Sequence, residues 1–171
     1  MPKRLKSNPD NSQKTEFYDE LKSITDPSRR TFTDFARSYM EQYNKQLNKD
    51  QQKLTWQSVA NRIDMPYDNL QRYISGTRKP SSRESVIQIA MGLMMDLKDC
   101  DRLLESYPIL YVKLKAANGP FDRLVMEYYE PIVEEFKNSD NDTAENSKIK
   151  ELNQRLSDAN ELKLFGGKYL W

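Results

Sequence analysis

Between Leu54 and Ser82 the chain reads LTWQSVANRIDMPYDNLQRYISGTRKPSS, and the breaks in that stretch leave it few ways to fold. Val59, Ala60 and Ile63 recur at helical spacing behind Thr55, whose hydroxyl can accept from the first unpaired backbone N–H groups. A helix of about two turns is expected there. Asp64-Met65-Pro66 interrupts it, because Pro66 has no amide hydrogen for a continuing helix and steers Met65 away from helical angles. A second helix is expected over about residues 67–75, on an apolar stripe of Leu70, Tyr73 and Ile74. Gly76 closes it, since glycine takes the left-handed position after a helix without strain. The spacing suits two short helices that cross.

The other face of the second helix carries Asp68, Asn69, Gln71 and Arg72. Asn and Gln pair bidentately with adenine in the major groove and Arg with guanine, so Asn69, Gln71 and Arg72 are chemically suited to reading base edges. A solvated polar face is the plainer alternative for any short surface helix. Its surroundings favour the chemical reading. Thr77-Arg78-Lys79 sets two cations and free amides beside that face, and Ser81 with Glu84 makes a capping box for the next helix.

These residues resemble the phage-repressor class of helix-turn-helix proteins, the XRE family. Ala60 matches the small residue where that family's second and third helices touch, Leu70 the buried residue of its recognition helix, and Gly76 with Pro80 its G-x-x-x-P spacing. Tyr73 and the GTRKP string are close to its common pattern. The turn position usually held by Gly is Asp64 here, and the next polar cap position is Pro66. The likeness covers roughly residues 33–95. It implies that Tyr67, Asp68, Asn69, Gln71 and Arg72 face bases, while Thr55, Trp56, Thr77, Arg78 and Lys79 contact phosphates.

A chain of 171 residues can form one domain with a substantial core or two small ones. Five Gly argue against a turn-rich β fold, and the apolar spacing is helical throughout, so the expected class is all-α: a small helical bundle with a helical C-terminal extension. No apolar run has the length of a membrane span or signal peptide, and the lone Cys100 cannot form an internal disulfide, which fits the cytoplasm. The absence of His removes the commonest general base and metal ligand, and no metal or cofactor is expected. The net charge is only +1, yet it is unevenly placed. Over residues 53–83, Lys53, Arg62, Arg72, Arg78, Lys79 and Arg83 face only Asp64 and Asp68, a local +4, whereas residues 121–160 carry five basic and ten acidic side chains, a local −5. Such a division brings one surface to a polyanion and keeps the remainder off it.

Residues 1–30 read as a polar, loosely ordered leader in which Phe17, Leu21 and Ile24 could form a short helix, with Lys3, Arg4 and Lys6 near its start. Residues 31–107 form the expected DNA-binding unit. Its first helix starts at a Thr33 cap and carries Phe32, Phe35, Ala36, Tyr39, Met40, Tyr43 and Leu47 on one side; residues 82–95 and 97–107 supply a fourth and a fifth helix, with Cys100 toward the core. Trp56 is a packing or rim residue. Residues 108–171 form the C-terminal region. Residues 109–114 read as a short helix or an extended connector, residues 121–137 as a helix that kinks or restarts at Pro131, residues 138–146 as a solvated loop and residues 148–159 as a last helix. The apolar end, with Leu162, Leu164, Phe165, Tyr169, Leu170 and Trp171, docks on this chain's core or on a second subunit.

Three classes of function follow. The first is a sequence-specific transcriptional regulator that binds double-stranded DNA as a homodimer. The second is a phage-borne inhibitor or antitoxin-like protein, whose C-terminal half, with Glu127, Glu130, Glu134 and Glu135, binds a protein partner while the helix-turn-helix autoregulates. The third, an enzyme built on clustered carboxylates and a metal, has no suitable ligand spacing, and the chain is read as no enzyme.

Overall fold

The computed structural model describes residues 31–106, 109, 111–116, 119–139, 146–161 and 164. Expectations for the leader, for residues 140–145 and for Leu162, Phe165, Tyr169, Leu170 and Trp171 lie outside the described residues. Among those residues the chain is all-α, with seven helices: α1 (Phe32–Lys45), α2 (Trp56–Arg62), α3 (Tyr67–Ile74), α4 (Arg83–Gly92), α5 (Leu97–Leu104), α6 (Pro120–Asn138) and α7 (Ser147–Asp158). None of them is long and apolar enough to cross a membrane.

Helix α4 is the hub. Its sequence RESVIQIAMG is apolar on nearly every side, and Ser85 through Gly92 are all buried, so it needs neighbours all round. It packs against α2, α5 and α6, while α1 lies on α3 and α5, and α7 covers α6. One continuous hydrophobic core results, running from Phe32 in α1 to Leu164 beyond α7. Leu164 is fully buried, and its N–H donates to Asn153 Oδ1 at 2.9 Å, so this part of the apolar end docks within its own chain. The stretch Tyr111–Lys113 has no regular structure, which selects the connector reading over the helix. Helix α6 continues through Pro131 without a restart.

Two caps differ from expectation. Thr31, rather than Thr33, caps α1 by accepting from Asp34 N, because the Thr33 hydroxyl donates across to Tyr73 O at 3.4 Å. Ser82, rather than Ser81, caps α4 by accepting from Ser85 N at 3.2 Å, and the Tyr73 and Ser81 hydroxyls lie 3.4 Å apart. Thr55 does cap α2, in a reciprocal box with Ser58.

The α2–α3 turn is used twice. At the end of α2, Asp64 takes a left-handed φ of 51°, Met65 N donates to Ala60 O and Asp64 N to Asn61 O, which are the two bonds of a Schellman ending. Thirty residues on, Met94 takes φ 57°, Met95 N donates to Ala90 O and Met94 N to Met91 O. Ala60, Met65 and Arg72 recur as Ala90, Met95 and Arg102, and α3 and α5 each have eight residues. The turn leaves Met65 and Met95 buried, so each fastens its unit to the core. Asp64 therefore stands where glycine is easiest, and its short polar side chain is among those that tolerate this conformation.

Candidate nucleic-acid interface

The presentation of α3 begins at α1. Asn44 holds both backbone groups of Leu54, accepting from its N–H and donating to its C=O at 2.8 Å each, and so sets the entry to α2. Gly92 then lets α2 lie close on α4: a Cβ there would stand 2.7 Å from Ile63 Cγ2 and 3.0 Å from Val59 Cγ1. Across the Asp64 turn, α3 buries Leu70, Tyr73 and Ile74 and leaves its other face at the surface.

All ten candidate residues are exposed or half-buried; none is buried. Tyr67, Asp68 and Arg72 are exposed, and Asn69 and Gln71 are half-buried along the same helix. Gln71 Nε2 donates to Tyr67 Oη at 2.9 Å, which aligns those two side chains and leaves Gln71 Oε1 as an acceptor. Among the described residues the side chains of Asp68, Asn69 and Arg72 make no hydrogen bond or ion pair. After α3, Gly76 takes φ 76°, and Arg78 N donates to Arg72 O at 3.0 Å, folding the loop back on the helix end. Thr77 and Lys79 are exposed and Arg78 is half-buried; Thr77 Oγ1 lies 2.7 Å from Ser75 Oγ, and Lys79 Nζ sits 5.7 Å from the Tyr111 ring centroid. At the start of α2, Thr55 is exposed but its hydroxyl is engaged in the cap, and Trp56 is half-buried against the core.

The basic patch is smaller than the sequence count implies. Arg62 is 8% exposed, with Nη1 3.5 Å from Gly92 O and its guanidinium 5.9 Å from the Phe136 ring centroid. Arg83 pairs with the buried Asp122 at 2.5 Å and donates through Nε to Val112 O at 2.7 Å. Both point inward. Lys53, Arg72, Arg78 and Lys79 remain against Asp64 and Asp68, four basic against two acidic, a net +2.

The C-terminal carboxylates are largely occupied by their own chain. Glu127 pairs with Arg155, Glu134 with Lys137, and Glu135 accepts from Ser147 N, Ser147 Oγ and Lys148 N at the start of α7. Partial burial works against the Glu135 charge, but these bonds outweigh it and hold the carboxyl below its ordinary range. Among the described residues no three of His, Cys, Asp and Glu come together in a way that could hold a metal ion. In comparisons with protein families, curated proteins and solved structures, no match to this chain emerges.

Proposed function

We propose that the chain is a DNA-binding transcriptional regulator of the phage-repressor, XRE-like kind, which lays α3 in the major groove. One observation carries the reading: Arg72 is exposed on the outward side of α3, Asn69 and Gln71 are half-buried at the two margins of that side, and Arg78 and Lys79 stand on the loop that follows. Base reading falls to Asn69, Gln71 and Arg72, with Tyr67 and Asp68 at the helix start, and phosphates fall to Thr55, Trp56, Thr77, Arg78 and Lys79. A net +2 patch neutralises few phosphates, so one copy binds weakly and a homodimer on a two-fold operator is the working species. The protein-partner reading draws less support, since Glu127, Glu134 and Glu135 are engaged within α6 and α7.

The test selects duplexes from a random pool with the full chain and measures binding at several salt concentrations. Arg72→Ala or Asn69→Ala costs about 1–3 kcal/mol on the selected site, roughly 5- to 150-fold, and little on unrelated duplex. Arg78→Ala or Lys79→Ala weakens both alike and lowers the salt slope by about one. No selected sequence, or unchanged site affinity in Arg72→Ala and Asn69→Ala, overturns the reading.

A further inference from the structure

A cavity of about 430 Å³ opens between the first turn of α1 and the loop after α3. That volume falls among small-molecule sites, which run from about 300 to 1,000 Å³. Its lining is two-sided in character. Phe32, Tyr73, Pro80 and Ile109 line it and are all buried, so they form an apolar floor. Among the described residues, Arg78 and Lys79 line it too and Asp34 is the single acidic one, so cations outnumber anions there.

The hydroxyls nearby are already engaged, Thr33 with Tyr73 O and Ser75 with Thr77. The Arg78 side chain, by contrast, makes no hydrogen bond or ion pair among the described residues. A guanidinium fork matches a carboxylate bidentately, and a greasy floor rewards an apolar body attached to it. Inorganic phosphate would satisfy the cations but gain nothing from Phe32, Tyr73 and Ile109.

We propose that this cavity binds a small aromatic carboxylate, and that the bound anion competes with DNA for Arg78 and Lys79. The cavity stands on its own lining; the competition rests on the phosphate role given to those two residues above. An anion seated against the loop draws the guanidinium and ammonium groups away from the duplex backbone, so occupancy lowers DNA affinity. Thermodynamic linkage requires DNA to lower the affinity for the anion by the same factor.

The experiment titrates 2-naphthoate into the full-length ¹⁵N-labelled protein and follows its amide resonances. 2-Naphthylmethanol serves as the neutral isostere and inorganic phosphate as the anion without a body. Saturable shifts are expected at Thr33, Gly76, Arg78 and Ile109, with naphthoate binding about tenfold tighter than the alcohol and Arg78→Gln removing most of that margin. Phosphate binds more weakly than naphthoate. Shifts confined to other residues, equal affinity for naphthoate and its alcohol, or indifference to both Arg78→Gln and Lys79→Gln overturn the site. Saturating naphthoate should weaken binding to the selected duplex about tenfold; an unchanged duplex affinity with naphthoate bound overturns the competition. If the naphthoate-free protein binds no duplex at all, the DNA reading falls, and the naphthoate isotherm alone judges the cavity.

Discussion

Replacing Gly92 by Ala should destabilise the protein although Ala is the better helix former. Gly92 is the last residue of α4, and an added Cβ would lie 2.7 Å from Ile63 Cγ2 and 3.0 Å from Val59 Cγ1. Ordinary carbon–carbon contacts are about 3.5–4.0 Å, so the first overlap is on the order of 1 Å. Both opposing atoms are methyls of β-branched side chains with restricted χ1, so relief has to come from moving the α2 backbone rather than from a rotamer change. Overpacking of this kind costs about 1–3 kcal/mol, and the helical gain of Ala over Gly returns at most about 1 kcal/mol. Taking the upper part of that range, because the neighbours are stiff, leaves a net loss of about 1–2 kcal/mol. For a chain this long that is about 2–8 °C in Tm. Urea unfolding followed by far-ultraviolet circular dichroism measures it. The partner in the clash is identified by a second substitution: Ile63→Leu removes the Cγ2 methyl, so the double variant should lose less than the two singles added, by about 0.5–1 kcal/mol. A Gly92→Ala protein as stable as the parent, or strict additivity with Ile63→Leu, refutes the close approach of α2 to α4.

Gln88 is fully buried in α4, and among the described residues neither its Nε2 nor its Oε1 has a partner, so Gln88→Met, which keeps length and shape, should stabilise by about 1–2 kcal/mol in urea unfolding; a loss of stability would show a bonded amide. Burial pushes the Cys100 thiol up to about 12, the neighbouring Tyr129 hydroxyl offsetting only part, so at pH 8 a disulfide reagent should label the native protein only as fast as it unfolds, and rapid native labelling would contradict this. Glu135 has a folded pKa below its ordinary 4.5, so its contribution is fully present above that value and fades as pH falls through the folded pKa. Glu135→Gln should lower stability at pH 7 by about 1 kcal/mol, the worth of a helix cap, and the gap to the parent should narrow in acid; a gap constant from pH 7 to pH 3 would sink this account.

Much of the fold can be read from the chain because its helices are punctuated by strong local chemistry. Thr55, the Asp64-Met65-Pro66 break and Gly76 mark α2 and α3 to within a residue, and the stripe of Leu70, Tyr73 and Ile74 states which side of α3 turns inward. Where two capping residues stand close together, as in Thr31-Phe32-Thr33 and Ser81-Ser82, local chemistry offers either one. The choice between Thr31 and Thr33 goes with a tertiary bond, Thr33 to Tyr73 O, made across 40 positions. Charge counting fails for a related reason. Arg83 finds Asp122 39 positions away, and Arg62 lies across Phe136 of α6, so neither orientation can be inferred from neighbours in sequence. Spacing did carry one unused signal: Arg62 follows Val59 by three residues, which places it on the inward side of α2.

The repeated turn offers an internal comparison for the role given to α3. Both α3 and α5 are eight-residue helices that follow a left-handed Schellman ending and a buried methionine, so the turn itself does not distinguish them. Their polar residues do. In α5, Asp101 is buried and accepts from Leu114 N at 2.7 Å, and Asp99 lies 3.4 Å from Arg102, so that polarity is spent on closing the connector and steadying the helix. In α3, Asp68, Asn69 and Arg72 contribute no such internal bond among the described residues. Polar side chains on a short surface helix that fasten nothing in their own chain cost little to replace if the fold is all they serve. Arg72→Ala should therefore leave the urea midpoint within about 0.5 kcal/mol of the parent while reducing selected-site affinity, whereas Asp101→Ala should lower stability by about 1–3 kcal/mol through the unpaired Leu114 N–H. A large stability loss in Arg72→Ala would assign that face to folding, and the argument for DNA contact would lose its footing.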